Sequence, residues 1–444
     1  MTQFSRCNDL LSWGRVLRAE HDVARPLWRD ELPALLGEAA QNGRSLLAVG
    51  ARRSYGDSCL NPDGAVLVMT GLDRAIAFEP KTRLLRAEAG ISFDVLLRIL
   101  IPRGFFLPVT PGTRFVTLGG AVANDIHGKN HHEAGTFGRW VRRLGLLRHD
   151  GEEVELDPDD PTGLFAATIG GLGLTGVISW VEIEVVPIAS TMMEVETIAF
   201  GNLGEFFQIA TESVDLFDYT VSWIDCMAGD RVRGRGLFNR GRHAINGRRV
   251  AAAGRSNLTM PLDWPEFALN HWTVRAFNAL YYWKGRRNAG RVSIPYQPFF
   301  YPLDSIGQWN RIYGRRGMYQ YQSVVPPSDA LDATSAMLKA IATAGEGSFL
   351  AVLKTFGDKP SPGLLSFPRA GTTLALDFPN RGASTLALME RLDAIVHEAR
   401  GRLYPAKDGR IPQAMFREGY PEWQVFRSHV DPHFSSHFWA RVGA

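Results

Sequence analysis

What most constrains this chain is the repeated placement of glycine-bearing loops at the ends of apolar, strand-like runs. SLLAVG (45–50) runs into the polar loop ARRSYGDSCL (51–60), and ATIGGLGLTG (167–176) opens directly onto the alternating run VISWVEIEVVP. Between them lies PGTRFVTLGGAVANDIHGKNHH (111–132), with glycines at 112, 119, 120 and 128 and histidines at 127, 131 and 132. A residue without a Cβ lets the backbone approach a bulky ligand or take positive φ. Exposed N–H groups in such a loop make a seat for a pyrophosphate. His127 and Lys129 follow at once, so a phosphate-cofactor cradle runs straight into groups able to do chemistry.

The first 190 residues read as α+β. ELPALLGEAAQN (31–42) is a short amphipathic helix, AVLVMT (65–70) and RLLRAEAG (83–90) are strands, and Ser92 is placed to cap a helix reaching Leu100. WVRRLGLLRHDGEEVEL is two strands turning at Asp150-Gly151. At 444 residues the chain has room for two domains. Cys7, Cys59 and Cys226 form no CxxC pair, which argues against a disulfide framework or zinc site and fits a reducing compartment. A net charge of +3 does not mark a nucleic-acid binder, and neither a signal peptide nor a transmembrane run is expected.

Beyond Pro187 the texture changes to TMMEVETIAF, YTVSWIDC, QYQSVVP, SFLAVLKTFG and TTLALDFPN as strands, with helices such as SDALDATSAMLKAIATAG. Residues 191–401 thus read as a second unit, a β-sheet backed by helices. Gly229 to Arg255 carries eight arginines against the single acid Asp230. It reads either as a solvated surface loop or as a lid meeting phosphate or anionic headgroups. HWTVRAFNALYYWKGRR (271–287) suits a domain core, and its aromatic and basic residues also suit a membrane interface.

Together these stretches resemble the vanillyl-alcohol-oxidase superfamily of FAD-linked oxidoreductases, and within it the branch of decaprenylphosphoryl-ribose 2′-oxidases. The resemblance rests on RRSYGD (52–57), LPVTPGTRFVTLGGAVANDIHGKNHH (107–132), GGLGLTG (170–176), YPLD (301–304), WNRIYG (309–314), QYQ (320–322), LSFP (365–368), LDFP (376–379) and LYPAKDGR (403–410). It implies a two-domain PCMH-type FAD-binding fold: residues 1–190 bind FAD, 191–401 form an inserted substrate domain, and 402–444 return to the first. It carries FAD contacts onto Arg52, Arg53, Ser54, Tyr55, Gly56, Asp57 and Ser58. Others fall on Gly112, Thr117, Leu118, Gly119, Gly120, Asn124, Asp125, Ile126, His127, Ile178 and Tyr404.

Several sugar-alcohol and aldonolactone oxidases of the superfamily carry a flavin-linked histidine where this chain has Arg53, so noncovalent FAD is expected. Mycobacterial members of the branch have a cysteine where LALDFP places Ala375, so inhibitors that trap that cysteine covalently should not do so here.

The resemblance puts Lys407 in the essential-lysine position, as a base or as a cation, with His127 as its catalytic neighbour. Lys129, Trp223, Gln322 and Lys354 fall on the substrate pocket. HExxH fails at His132-Glu133, and no metal is expected. The implied reaction oxidises the 2′-hydroxyl of a polyprenyl-phosphate-linked ribose to a ketone, the first half of an epimerisation in arabinan-precursor synthesis for the cell wall. An NAD(P)H-dependent short-chain reductase would complete it, with a quinone or oxygen taking the electrons. A cytoplasmic location with peripheral association to the inner membrane is expected, the periplasmic face being the alternative. A soluble alditol or aldonolactone oxidase of the same fold is the alternative, and a flavin-binding protein without turnover is a third.

Overall fold

The computed structural model describes residues 2–247, 249–250 and 258–443. Three sheets carry the architecture. A four-stranded sheet runs in the order Ser5–Cys7, His21–Ala24, Ala65–Val68, Leu46–Val49, with its last three strands parallel. Helix Leu32–Gln41 makes the parallel crossover possible, covering the sheet with Leu32, Leu35, Leu36 and Ala39. That spacing puts all four on one helical face.

A five-stranded antiparallel sheet follows, in the order Ala75–Glu79, Leu84–Glu88, Val177–Glu184, Val141–Leu147, Glu153–Leu156. The expected Asp150-Gly151 turn joins its last two members, with Gly151 at φ 84°. Helix Phe93–Leu100 buries Phe93, Leu96, Leu97 and Leu100 against the sheet's core, and the Ser92 hydroxyl accepts from the Val95 N–H to cap it.

Residues 191–403 build an eight-stranded antiparallel sheet, ordered Gly290–Pro295, Met192–Phe200, Gly236–His243, Tyr219–Ile224, Ala351–Phe356, Gly371–Pro379, Met318–Val325, Arg402–Leu403. Helices Leu203–Ser213, Ala330–Ala344 and Ala383–Glu398 cover one face, where Phe206, Met337, Leu392, Leu374, Leu376 and Phe378 share a core. Successive strand residues point to opposite faces. Gln320, Gln322, Val352, Lys354, Ala375 and Asp377 therefore all look the other way, into a large cavity. The register sets Gln322 opposite Ala375 and Gln320 opposite Asp377.

Two expectations are corrected here. The arginine-rich stretch is neither loop nor lid at its centre, because Gly236–His243 is an interior strand of the large sheet. Its arginines answer acids on adjacent elements: Arg240 with Glu196 at 2.8 Å, Arg242 with Glu194 at 3.1 Å and Arg235 with Asp225 at 2.8 Å. Arg248 and residues 251–257, which include Arg255, lie outside the described residues. The aromatic segment is the helix His271–Arg287, but only Val274 and Asn278 are buried, and Trp272 and Trp283 face outward.

Candidate active site

The cavity has a volume of about 1070 Å³ and lies between the three glycine-bearing loops and the open face of the eight-stranded sheet. Of the residues expected to hold a cofactor, Arg52, Arg53, Ser54, Tyr55, Ser58, Gly112, Thr117, Gly119, Gly120, Asn124, Ile126, His127, Ile178 and Tyr404 line it. Lys129, Trp223, Gln322, Lys354 and Lys407 line the same space.

Gly56, Asp57, Leu118 and Asp125 do not line it, and each serves the scaffold instead. A Cβ on Gly56 would stand 1.4 Å from the Asp408 carbonyl oxygen, so this position holds two chain segments in contact. Asp57 accepts from His437 at 2.7 Å and from Arg441 at 3.1 Å, tying the C-terminal helix to the first loop. Leu118 is fully buried in the core of the five-stranded sheet. Asp125 accepts from the Gly138 N–H at 2.7 Å and the Ser366 hydroxyl at 2.5 Å, and burial raises its carboxyl to about 6.

The C-terminal turn carrying Lys407 is built against these loops. The Tyr404 carbonyl accepts from the N–H groups of Lys407 and Asp408, both at 3.0 Å, which closes the turn. Asp408 then takes the N–H of Ile411 and pairs with Arg441 at 3.0 Å. The Tyr55 N–H donates to Ala406 at 3.0 Å, and the Tyr404 hydroxyl donates to the Asn124 carbonyl at 2.9 Å. The Lys407 ammonium comes to rest 4.0 Å from the centroid of the Tyr55 ring.

Around it the electrostatics are unusual. Burial lowers Lys407 to about 8, with Asp377 acting the other way. Burial and the neighbouring Lys129 and Lys407 lower Lys354 to about 7, while burial alone takes Lys129 to about 8. Lys354 Nζ donates to the Gly128 carbonyl at 3.3 Å and Lys129 Nζ to the Phe300 carbonyl at 3.1 Å, so both heads point inward rather than into solvent. Desolvation disfavours the charged form of each, and the lysines repel one another.

His127 packs among Phe356, Phe367 and Tyr404. The Gln322 amide nitrogen lies 3.1 Å from its Nε2 and 3.2 Å from the Thr373 hydroxyl. An amide nitrogen only donates, so Nε2 accepts and the ring proton sits on Nδ1. Burial, then Lys354, His131 and Lys407, hold His127 well below its ordinary pKa and keep it neutral. Neither His131 nor His132 lines the cavity. The His131 ring packs 4.5 Å from Phe356, and His132 Nε2 lies 2.9 Å from the Phe217 carbonyl. Among the described residues no group of three His, Cys, Asp or Glu side chains could hold a metal.

Asp377 was missed as a site residue. Its carboxylate accepts from the Gln320 amide at 2.5 Å, and burial raises it to about 7. The signal available was an acid between Leu376 and Phe378 in an otherwise apolar strand. Asp304, which takes the Arg114 N–H at 2.9 Å, is the other acid among the lining residues.

The lining fits FAD. Gly112 borders the cavity with no atom within 4 Å of where a Cβ would stand. Asn124 Oδ1 and His127 Nδ1 are buried at the cavity without a hydrogen-bond partner among the described residues. Such groups are costly unless a ligand satisfies them. The Arg53 guanidinium lies 4.2 Å from the Trp13 ring centroid, so no imidazole stands there to bond a flavin.

Known proteins agree with this reading. The family of FAD binding domains matches residues 22–157. The decaprenylphosphoryl-beta-D-ribose oxidase of Mycolicibacterium smegmatis is 36% identical over 438 residues, covering 95% of this chain and 94% of that protein. An uncharacterised protein of Streptomyces coelicolor is 30% identical over 370 residues, 80% of this chain and all of that one. The L-gulono-1,4-lactone dehydrogenase of Mycobacterium tuberculosis is 30% identical over 175 residues only, 39% of this chain and 40% of its own. The chain therefore belongs to the decaprenylphosphoryl-ribose oxidase family of FAD-dependent oxidoreductases.

Proposed function

We propose that this oxidoreductase converts the 2′-hydroxyl of a polyprenyl-phosphate-linked ribose to the 2′-ketone. The observation that carries the reading is the convergence of Lys129, Lys354 and Lys407 in one buried cavity whose acidic lining residues are Asp304 and Asp377. A sugar alone gives no reason to set the Lys129 and Lys354 ammonium groups beside Lys407. A phosphodiester does, because a lysine head acts on it as a point charge.

FAD, held noncovalently by the loops around Arg52–Ser58, Gly112–Gly120, Asn124–His127, Ile178 and Tyr404, supplies the hydride acceptor. Lys407, brought by burial to about 8, takes the hydroxyl proton. His127 donates from Nδ1 to orient the sugar oxygen. Lys129 and Lys354 hold the phosphate, while Gln322 and Trp223 border the sugar. Residues 1–190 and 402–444 serve the cofactor and 191–401 the substrate.

The product is a keto sugar, so an NAD(P)H-dependent short-chain reductase finishes the epimerisation toward an arabinose-type cell-wall precursor, with electrons leaving to a quinone or oxygen. A lipid-linked substrate brings the protein to the inner-membrane surface. No helix among the described residues is long and apolar enough to cross a membrane.

The test is a polyprenyl-phosphoryl 2′-deoxyribose. It should bind without reducing the flavin, whereas the ribose compound reduces it. Equal reduction by both would move the chemistry to another carbon and overturn the proposal.

A further inference from the structure

Helix His271–Arg287 carries large apolar side chains on its outer face as well as its inner one. The face it turns to the large sheet carries Val274, Asn278, Tyr281, Tyr282 and Gly285. Gly285 packs so closely on Leu237 that a Cβ would stand 2.1 Å from it, and the Asn278 amide donates to Asp225 at 3.2 Å and to the Ser348 carbonyl at 3.1 Å. The opposite face is bulky too: Trp272 is 73% exposed, Leu280 62% and Trp283 55%. Spaced at i, i+8 and i+11, these three fall on one stripe of the helix. A helix on a globular surface normally keeps that outer face polar.

The preceding segment extends the same surface. Leu258, Leu262 and Phe267 are 70%, 74% and 79% exposed. The Phe267 carbonyl accepts from the Asn270 side chain that caps the helix, which fixes the two segments together. Both border the cavity, with Thr259 from the segment and Phe277 and Tyr281 from the helix among its lining residues.

Charge is sorted on the same surface. Within 258–287 the acids are Asp263, paired with Arg15 at 2.6 Å, and Glu266, paired with Arg316 at 3.2 Å. Arg275, Lys284, Arg286 and Arg287 are exposed, with Arg287 4.9 Å from the Trp283 ring centroid. Tryptophan and leucine flanked by lysine and arginine suit the boundary between acyl chains and anionic headgroups.

We propose that residues 258–287 form a docking surface for an anionic lipid bilayer around the mouth of the cavity. This rests on the reading of a lipid-linked substrate, since a mouth held against the bilayer lets a sugar-phosphate head enter while its prenyl tail stays in the membrane. The stripe of Trp272, Leu280 and Trp283 enters the headgroup boundary, and the basic end of the helix holds to lipid phosphates.

Sedimentation of the purified FAD-loaded protein with phosphatidylglycerol–phosphatidylethanolamine vesicles tests it. The wild-type protein is expected to bind these vesicles and to release as salt is raised. Trp272→Ser/Leu280→Ser/Trp283→Ser should bind at least about tenfold more weakly, as expected when three interfacial apolar anchors are lost. Arg286→Glu/Arg287→Glu should lose about fivefold or more per charge at low salt. The flavin spectrum and melting temperature should be unchanged in both, because none of these side chains lines the cavity. No binding by the wild type, or undiminished binding by the triple variant, would overturn the proposal. So would sedimentation-velocity data showing that the stripe is covered in a dimer. The substrate reading stands or falls separately: vesicle binding without flavin reduction by a polyprenyl-phosphoryl ribose keeps the docking surface and removes the substrate.

Discussion

The Lys407 ammonium stands 4.0 Å from the centroid of the Tyr55 ring, joining the C-terminal turn to the first glycine-bearing loop in one wall of the cavity. The same wall holds the Tyr55 N–H to Ala406 bond at 3.0 Å, so backbone and side chain fix the lysine together. Tyr55, half-buried and held well above its ordinary pKa by desolvation, stays neutral and presents its ring face to the cation.

Replacing Lys407 with alanine should leave FAD bound and the flavin spectrum intact. Anaerobic reduction of that flavin by substrate should slow roughly 10²–10⁴-fold, the scale of a lost general base. Stopped-flow absorbance measures it, and unchanged reduction would remove Lys407 from the chemistry.

Asp377 should set the pH at which Lys407 works. A lysine acting as a base must be neutral, so flavin reduction is expected to rise with pH and level off above about 8. The Asp377 charge favours the ammonium form. Asp377→Asn should therefore move the inflection to lower pH, and a move upward, or a rate that falls with pH, contradicts this assignment.

Lys354 should act on binding rather than turnover. Lys354→Met is expected to raise KM about tenfold or more with kcat little changed, the pattern of an interaction made equally in ground and transition states. Its ammonium form is fully present only below about 7. Wild-type KM should thus rise as pH passes through that value, and steady-state kinetics between pH 6 and 8 would show it. A loss confined to kcat would place Lys354 with the reacting atoms instead.

Gly56→Ala drives a methyl group into the Asp408 carbonyl, a backbone atom that cannot swing aside. Destabilisation of about 3 kcal/mol or more is expected, at the upper end for overpacking. Denaturant unfolding reads it, and an unchanged midpoint would mean that the two loops separate easily.

What could be read before the structure was local. The Ser92 cap, the Asp150-Gly151 turn and the Leu32–Gln41 helix each declare themselves within a few residues. The arginine-rich stretch did not, because the partners of Arg240 and Arg242 are Glu196 and Glu194 on a strand some 45 positions earlier. The outward face of His271–Arg287 was hidden for a related reason: a glycine and an asparagine mark its inner side, and their value depends on Leu237 and Ser348. Lys407 came only through family resemblance. Nothing near LYPAKDGR announces that Tyr404 reaches Asn124, 280 residues away.

Anaerobic titration of the FAD-loaded protein with a panel of candidate substrates tests the central claim most directly. Polyprenyl-phosphoryl ribose should bleach the flavin, while xylitol and gulonolactone should not. Bleaching by either small polyol or lactone but not by the lipid-linked ribose would contradict the account and point to a soluble sugar oxidase, and bleaching by none would leave a flavin-binding protein without turnover.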